Sequence, residues 1–131
     1  ATASFDRISI ICPSWGDSIG TMTAKLYVWD KNVRDTVKGE PVASAVWENF
    51  PDNARNAISF DALPAGEYAL VLYVAPAKQS EHCGLWTLTR KSTFMKVYKN
   101  GTLCDGLEIY RSSIHYTETP EVTLWPASKD R

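Results

Sequence analysis

Apolar and polar residues alternate along this chain with a period of two, and no window keeps the i, i+3, i+4, i+7 apolar spacing of a helix for more than one turn. Such alternation sends successive side chains to opposite faces of a strand. Phe5 to Ile11 carries Ile8 and Ile10 on one face, and Thr21 to Asp30 sets Met22, Ala24, Leu26 and Val28 against Thr23, Lys25, Tyr27 and Trp29. Val42 to Asn49 and Ala57 to Asp61 follow, then Glu67 to Ala75, which is apolar on both faces and so predicts a central strand. Leu85 to Thr89, Thr93 to Lys99, Leu107 to Ile109, Ser113 to Thr117 and Glu121 to Trp125 complete the series. Turn-forming residues separate these runs: Pro13 to Asp17, Gly39-Glu40-Pro41, Pro51-Asp52-Asn53, Pro64-Ala65-Gly66 and Asn100-Gly101. Short strands at this spacing predict an all-β, antiparallel β-sandwich, jelly-roll-like in its arrangement. With 131 residues the chain has room for one core. It is therefore expected to form a single domain over residues 1–131, with a polar tail at Ser128–Arg131.

Charge and cysteine content narrow the partners. Fourteen Lys and Arg against fifteen Asp and Glu leave a net charge of -1, and no basic run tracks a phosphate backbone. No nucleic-acid partner is expected. The densest apolar stretch, Tyr68 to Pro76, is strand-sized and far short of a membrane helix, so no membrane partner is expected either. The chain opens on Ala1-Thr2-Ala3-Ser4 without a methionine, as a processed or excised segment would. Cys12, Cys83 and Cys104 are odd in number and lack the CxxC spacing of a zinc site. A hairpin centred on Arg90–Thr93 and a second at Asn100-Gly101 would put Cys83 and Cys104 on non-adjacent strands. That register favours buried thiols and leaves one bridge with one thiol over as the other reading. Asn100-Gly101-Thr102 matches a glycosylation sequon, but Asn-Gly is also a hairpin turn, and the turn is the stronger reading.

Catalytic patterns are missing. Asp30, Asp52, Asp61 and Asp105 fall at strand ends or turns, where aspartate bonds the local backbone. His82 and His115 have no partner at metal-ligand spacing, and neither Gly-x-Ser-x-Gly nor a phosphate-cradling glycine loop occurs. No catalytic residue and no metal ligand is assigned, and the chain is not expected to be an enzyme. Asp17, Asp30, Asp52 and Asn53 are calcium donors by type without the dense acid spacing of a dedicated loop, so no cofactor is expected and structural calcium is the weaker reading.

Five tryptophans, six tyrosines and four phenylalanines are the unusual part of the composition. Each buried indole N–H needs a partner, so a core this small readily absorbs only one or two. Strand phase sorts them. Trp29 shares a face with Tyr27 and Lys25, opposite the apolar row, and Trp125 shares one with Thr123 and Glu121; both point outward. Trp47 is in phase with Ala43 and Ala45, which leaves its direction open. Trp86 is in phase with Leu88 and opposite Thr87 and Thr89, which makes it the core candidate. Trp15 lies in a Pro/Gly loop where phase says nothing. A tryptophan in a sandwich is more often a core anchor than a ligand contact, yet clustered exposed indoles are a surface that soluble monomers avoid. An exposed flat indole suits stacking on the C–H face of a pyranose, with Gln79, Glu81, Asp52, Asn53 and Arg55 as hydroxyl partners from loops. The same aromatic surface also suits a protein partner.

The run Gly20 to Asp30, Thr36 to Pro41, Asp52-Asn53, Leu63-Pro64-Ala65-Gly66-Glu67-Tyr68 and Gly84-Leu85-Trp86 resembles the β-sandwich accessory modules of secreted bacterial glycoside hydrolases. The resemblance spans about Phe5 to Pro120. It implies a non-catalytic carbohydrate-binding module, secreted or at the bacterial cell surface, whose polysaccharide ligand is a plant cell-wall β-glycan such as cellulose, mixed-linkage glucan or glucomannan. It further implies a covalently linked glycoside hydrolase domain. Strand phase and loop position give the candidate binding set as Trp125, Trp47, Trp29, Trp15, Tyr27, Gln79 and Asn53. The alternative is a structural or protein-interaction β-sandwich that binds no glycan.

Overall fold

The computed structural model describes residues 1–14, 21–74, 85–90 and 95–117. Ten strands run through them: β1 (Phe5–Cys12), β2 (Thr21–Val28), β3 (Ala43–Glu48), β4 (Ala54–Leu63), β5 (Tyr68–Val74), β6 (Thr87–Thr89), β7 (Tyr98–Lys99), β8 (Thr102–Leu103), β9 (Leu107–Ile109) and β10 (Ser112–Tyr116). One helical turn, α1 (Val33–Thr36), interrupts them; Asn32 caps it, its Oδ1 accepting the Asp35 N–H at 2.8 Å. The all-β, antiparallel class read from alternation holds. The alternation gave no sign of α1, because four residues are too few to show a helical period.

Two three-stranded antiparallel sheets dominate, ordered β10-β1-β4 and β3-β2-β5. Their inward rows meet in one cluster, with Ile10, Cys12 and Ile58 from the first sheet and Met22, Ala24, Leu26 and Trp47 from the second. Phe5 closes one end, with its ring edge-on to Phe60 at 5.3 Å and to Tyr68 at 5.0 Å. Trp47 ties the sheets directly: it stands on β3, and its indole N–H donates to the Ala57 carbonyl of β4 at 2.9 Å. The two sheets thus share one apolar core and one hydrogen bond between them.

Two strand expectations need correction. The described sheet places β2, not the 67–75 run, in the middle; the second apolar row of β5, Ala69, Val71 and Tyr73, faces away from the core cluster. The turn of the hairpin expected at Arg90–Thr93 lies outside the described residues; β6, which precedes it, pairs with β9 in the register Thr87↔Ile109, Leu88↔Glu108 and Thr89↔Leu107. Of the 93–99 run, only Tyr98–Lys99 is a strand among the described residues. The second expected hairpin is present: Tyr98 pairs with Leu103 and Lys99 with Thr102 around Asn100 (φ 51°) and Gly101 (φ 81°). Two successive positive φ angles are what a type I′ turn demands and what Asn-Gly supplies.

Cys12 is fully buried, and Cys104 is a half-buried free thiol directed at the Thr102 carbonyl, 3.7 Å away. Cys83 and the strand expected at Glu121 to Trp125 lie outside the described residues, as does the 128–131 tail.

Candidate functional site

The aromatic residues singled out in the sequence separate on folding. Trp47 is 8% exposed, on the inward row with Ala43 and Ala45, and its N–H is bonded across the core. That resolves its open phase toward structure and removes it from any surface platform. Tyr27 is also 8% exposed, although alternation puts it on the outward row of β2, so it offers no stacking face. Trp29 follows β2, with its backbone N–H on the Glu67 carbonyl at 3.0 Å, and is half-buried. Tyr98 of the β7–β8 hairpin lies beside it, the ring centres 6.3 Å apart and tilted by 32°. The outward display expected of Trp29 is therefore partly taken up by a neighbour from its own chain. Trp15, Gln79 and Trp125 lie outside the described residues.

Trp86, expected in the core, is 41% exposed, and the β6–β9 ladder explains why. Leu85 and Ile109 pack against the core cluster, so the opposite face of this short ladder points away from it. Extending the register by one pair sets Trp86 opposite Tyr110, whose N–H donates to the Trp86 carbonyl at 2.9 Å. Cross-strand partners share a face. Trp86, Leu88, Glu108 and Tyr110 thus stand on one outward face, with Tyr110 also 41% exposed. The phase shared by Trp86 and Leu88 was legible in the sequence. That their common face looks outward depends on which side of a three-residue strand meets the core, and here Leu85 takes that place.

Asn53 reaches this face from the other side of the molecule's sequence. The turn Pro51-Asp52-Asn53 is closed by the Ala54 N–H on the Pro51 carbonyl at 3.0 Å. It is held to the end of β1 by the Asn53 N–H on the Cys12 carbonyl at 3.0 Å and by the Ser14 N–H on Asp52 Oδ1 at 2.7 Å. Asn53 adopts φ 59°, a left-handed conformation that Asn tolerates better than most residues. Its Oδ1 accepts the Trp86 indole N–H at 2.8 Å. With that donor engaged, the part of the indole left exposed is apolar ring carbon. The Asn53 amide N–H groups stand beside it.

A cleft of about 350 Å³ lies by Tyr110, the cross-strand neighbour of Trp86; Leu88, Arg90, Met95, Glu108, Tyr110 and Arg111 are among the residues that line it. Arg90 is ion-paired with Glu108, whose side chain is largely buried. The Arg111 guanidinium lies over the Tyr110 ring, 5.2 Å from its centre. Arg111 has φ 57°, a conformation that costs a bulky residue of order 1 kcal/mol and recurs where chains clamp ligands. Aromatic area, hydrogen-bonding amide, guanidinium groups and a carboxylate are thereby gathered on one side of the β6–β9 ladder.

Elsewhere the polar groups are dispersed. On the outer face of β10-β1-β4, Arg55 Nη1 donates to Ser9 Oγ at 3.0 Å and Ser113 Oγ at 3.2 Å, and His115 Nδ1 meets Asp6 at 2.7 Å. Asp30 stands before α1, its N–H on Thr36 Oγ1 at 2.9 Å, in a different turn from Asp52, while Asp17 and His82 lie outside the described residues. Among the described residues no three His, Cys, Asp or Glu side chains converge on a common point. No family model matches this chain, and no curated protein and no solved structure matches it.

Proposed function

We propose that this chain is a non-catalytic carbohydrate-binding module. In this reading a pyranose ring of a plant cell-wall β-glycan stacks on Trp86, and the module targets a linked glycoside hydrolase, in a secreted or cell-surface bacterial protein, to its polysaccharide. One observation carries the reading: an indole 41% exposed, its N–H tied to Asn53, beside a cleft that brings Tyr110 and polar side chains to the same face. Sugar C–H groups meet the negative π face of the ring, and the Asn53 amide bonds a hydroxyl at its rim. A ring already held by the protein loses little conformational freedom on binding, which favours affinity. Attachment to a catalytic domain then raises that domain's effective concentration at an insoluble surface. The platform is Trp86 with Asn53, in place of the Trp47 and Tyr27 of the sequence expectation. Affinity electrophoresis against soluble β-glucans, glucomannan and xylans tests it: at least one polymer should retard the chain, and the Trp86→Ala variant should lose that retardation. Retardation by none would sink the proposal.

The competing reading, a structural or protein-interaction module, has its own support. Val46, 56% exposed, and Tyr73 flank Thr23 across the outer face of β3-β2-β5, an apolar surface of the kind partner proteins use. It predicts no retardation by any glycan.

A further inference from the structure

Resting on the carbohydrate reading above, we infer that the cleft beside Trp86 takes an acidic sugar, its carboxylate held by Arg111 while the ring next to it on the chain stacks on Trp86. The charge in the cleft carries the inference. Arg90 and Arg111 supply two cations, and Glu108 supplies one carboxylate, leaving one positive charge in a concave site. Glu108 is already committed to Arg90. No described residue forms an ion pair with Arg111, whose guanidinium is carried over Tyr110 at 5.2 Å.

A guanidinium has five N–H donors in a planar fork that matches a carboxylate with two parallel bonds. A guanidinium carried over an aromatic ring uses its face there and leaves its edge N–H donors for a carboxylate. The left-handed backbone at Arg111, between β9 and β10, aims the side chain at the cleft wall, and the Ile11 N–H holds the Arg111 carbonyl at 3.4 Å. Met95 Sδ accepts the Ile109 N–H at 3.3 Å and sets a thioether in the cleft wall. The overall charge of -1 hides this, because selectivity follows the local field in a cleft and not the net charge.

The test compares two polymers that differ in charge alone: glucuronoxylan, and the same glucuronoxylan after reduction of its uronic carboxyls to primary alcohols. Binding of the whole chain to each is measured by titration calorimetry at low and at moderate salt. The carboxylated polymer should bind about tenfold more tightly, roughly one charge-assisted contact, and the ratio should shrink as salt rises. Arg111→Gln should bring the ratio to about one, and Arg111→Lys, which keeps the charge and loses the fork, should retain part of it. Arg34→Gln, on the exposed side of α1, should leave the ratio unchanged. Equal binding of the two polymers by the unaltered chain would overturn the inference while the carbohydrate reading stood. A ratio lost equally in Arg34→Gln would overturn it in favour of general attraction. Binding of neither polymer, nor of any glycan in the panel above, would remove the carbohydrate reading and this inference with it.

Discussion

Replacing Trp86 by alanine removes the surface on which the functional reading rests, and the structure fixes how much should be lost. A tryptophan presents roughly 250 Å² when fully open, so 41% exposure leaves on the order of 100 Å² of ring accessible. At about 25 cal/mol per Å², covering between half and all of that area contributes about 1 to 2.5 kcal/mol. Affinity for a retarding glycan should therefore fall between about fivefold and seventyfold in Trp86→Ala. The fold should survive: the change deletes one exposed hydrogen bond to Asn53, roughly 1 kcal/mol, or a few degrees in Tm. Affinity electrophoresis read beside a thermal melt separates the two effects. Undiminished glycan binding in a folded Trp86→Ala protein would refute the reasoning and turn attention to the pair Trp29 and Tyr98.

Other perturbations report on the frame behind the site. Trp47→Ala should cost about 3 to 5 kcal/mol, because it empties a core position and deletes the bond to the Ala57 carbonyl; Trp47→Phe should cost less, and a denaturant titration showing Trp47→Ala within 1 kcal/mol of the parent would contradict the inter-sheet role. Burial raises the pKa of Tyr68 above the ordinary 10.0, and its hydroxyl donates to the Pro64 carbonyl at 2.7 Å. The folded value then exceeds the unfolded one, so the stability Tyr68 contributes is whole below the unfolded pKa and is lost as pH rises through the folded value. Melts across about pH 9 to 12 should show a loss that Tyr68→Phe flattens, and an unchanged slope in that variant would count against it.

Much of the frame was legible because it rests on alternation. Met22, Ala24 and Leu26 face the core as their phase requires, and Asn100-Gly101 turns the chain as its chemistry requires. Phase failed where a strand is short or a face is covered. Trp86 and Leu88 share a face, but only the position of Leu85 against the core shows that this face is outward. Tyr27 keeps its outward phase and is buried all the same, since alternation says which side of a sheet a residue takes and not what lies over it. Asn53 shows in the sequence only as an amide in a turn. Its contact with Trp86 joins residues 33 apart in sequence, and no local pattern encodes that. The pairing of β6 with β9 across the β7–β8 hairpin was equally hidden, and it is what builds the cleft.

The most direct test of a glycan site at Trp86 is an NMR titration of the indole N–H signals with a soluble glycan that retards the chain. Five tryptophans give five signals, and the Trp86→Phe spectrum identifies one of them. The account predicts that the Trp86 signal moves with ligand while the Trp47 signal, buried and bonded to Ala57, stays in place. A Trp86 signal that holds still through saturation would contradict it.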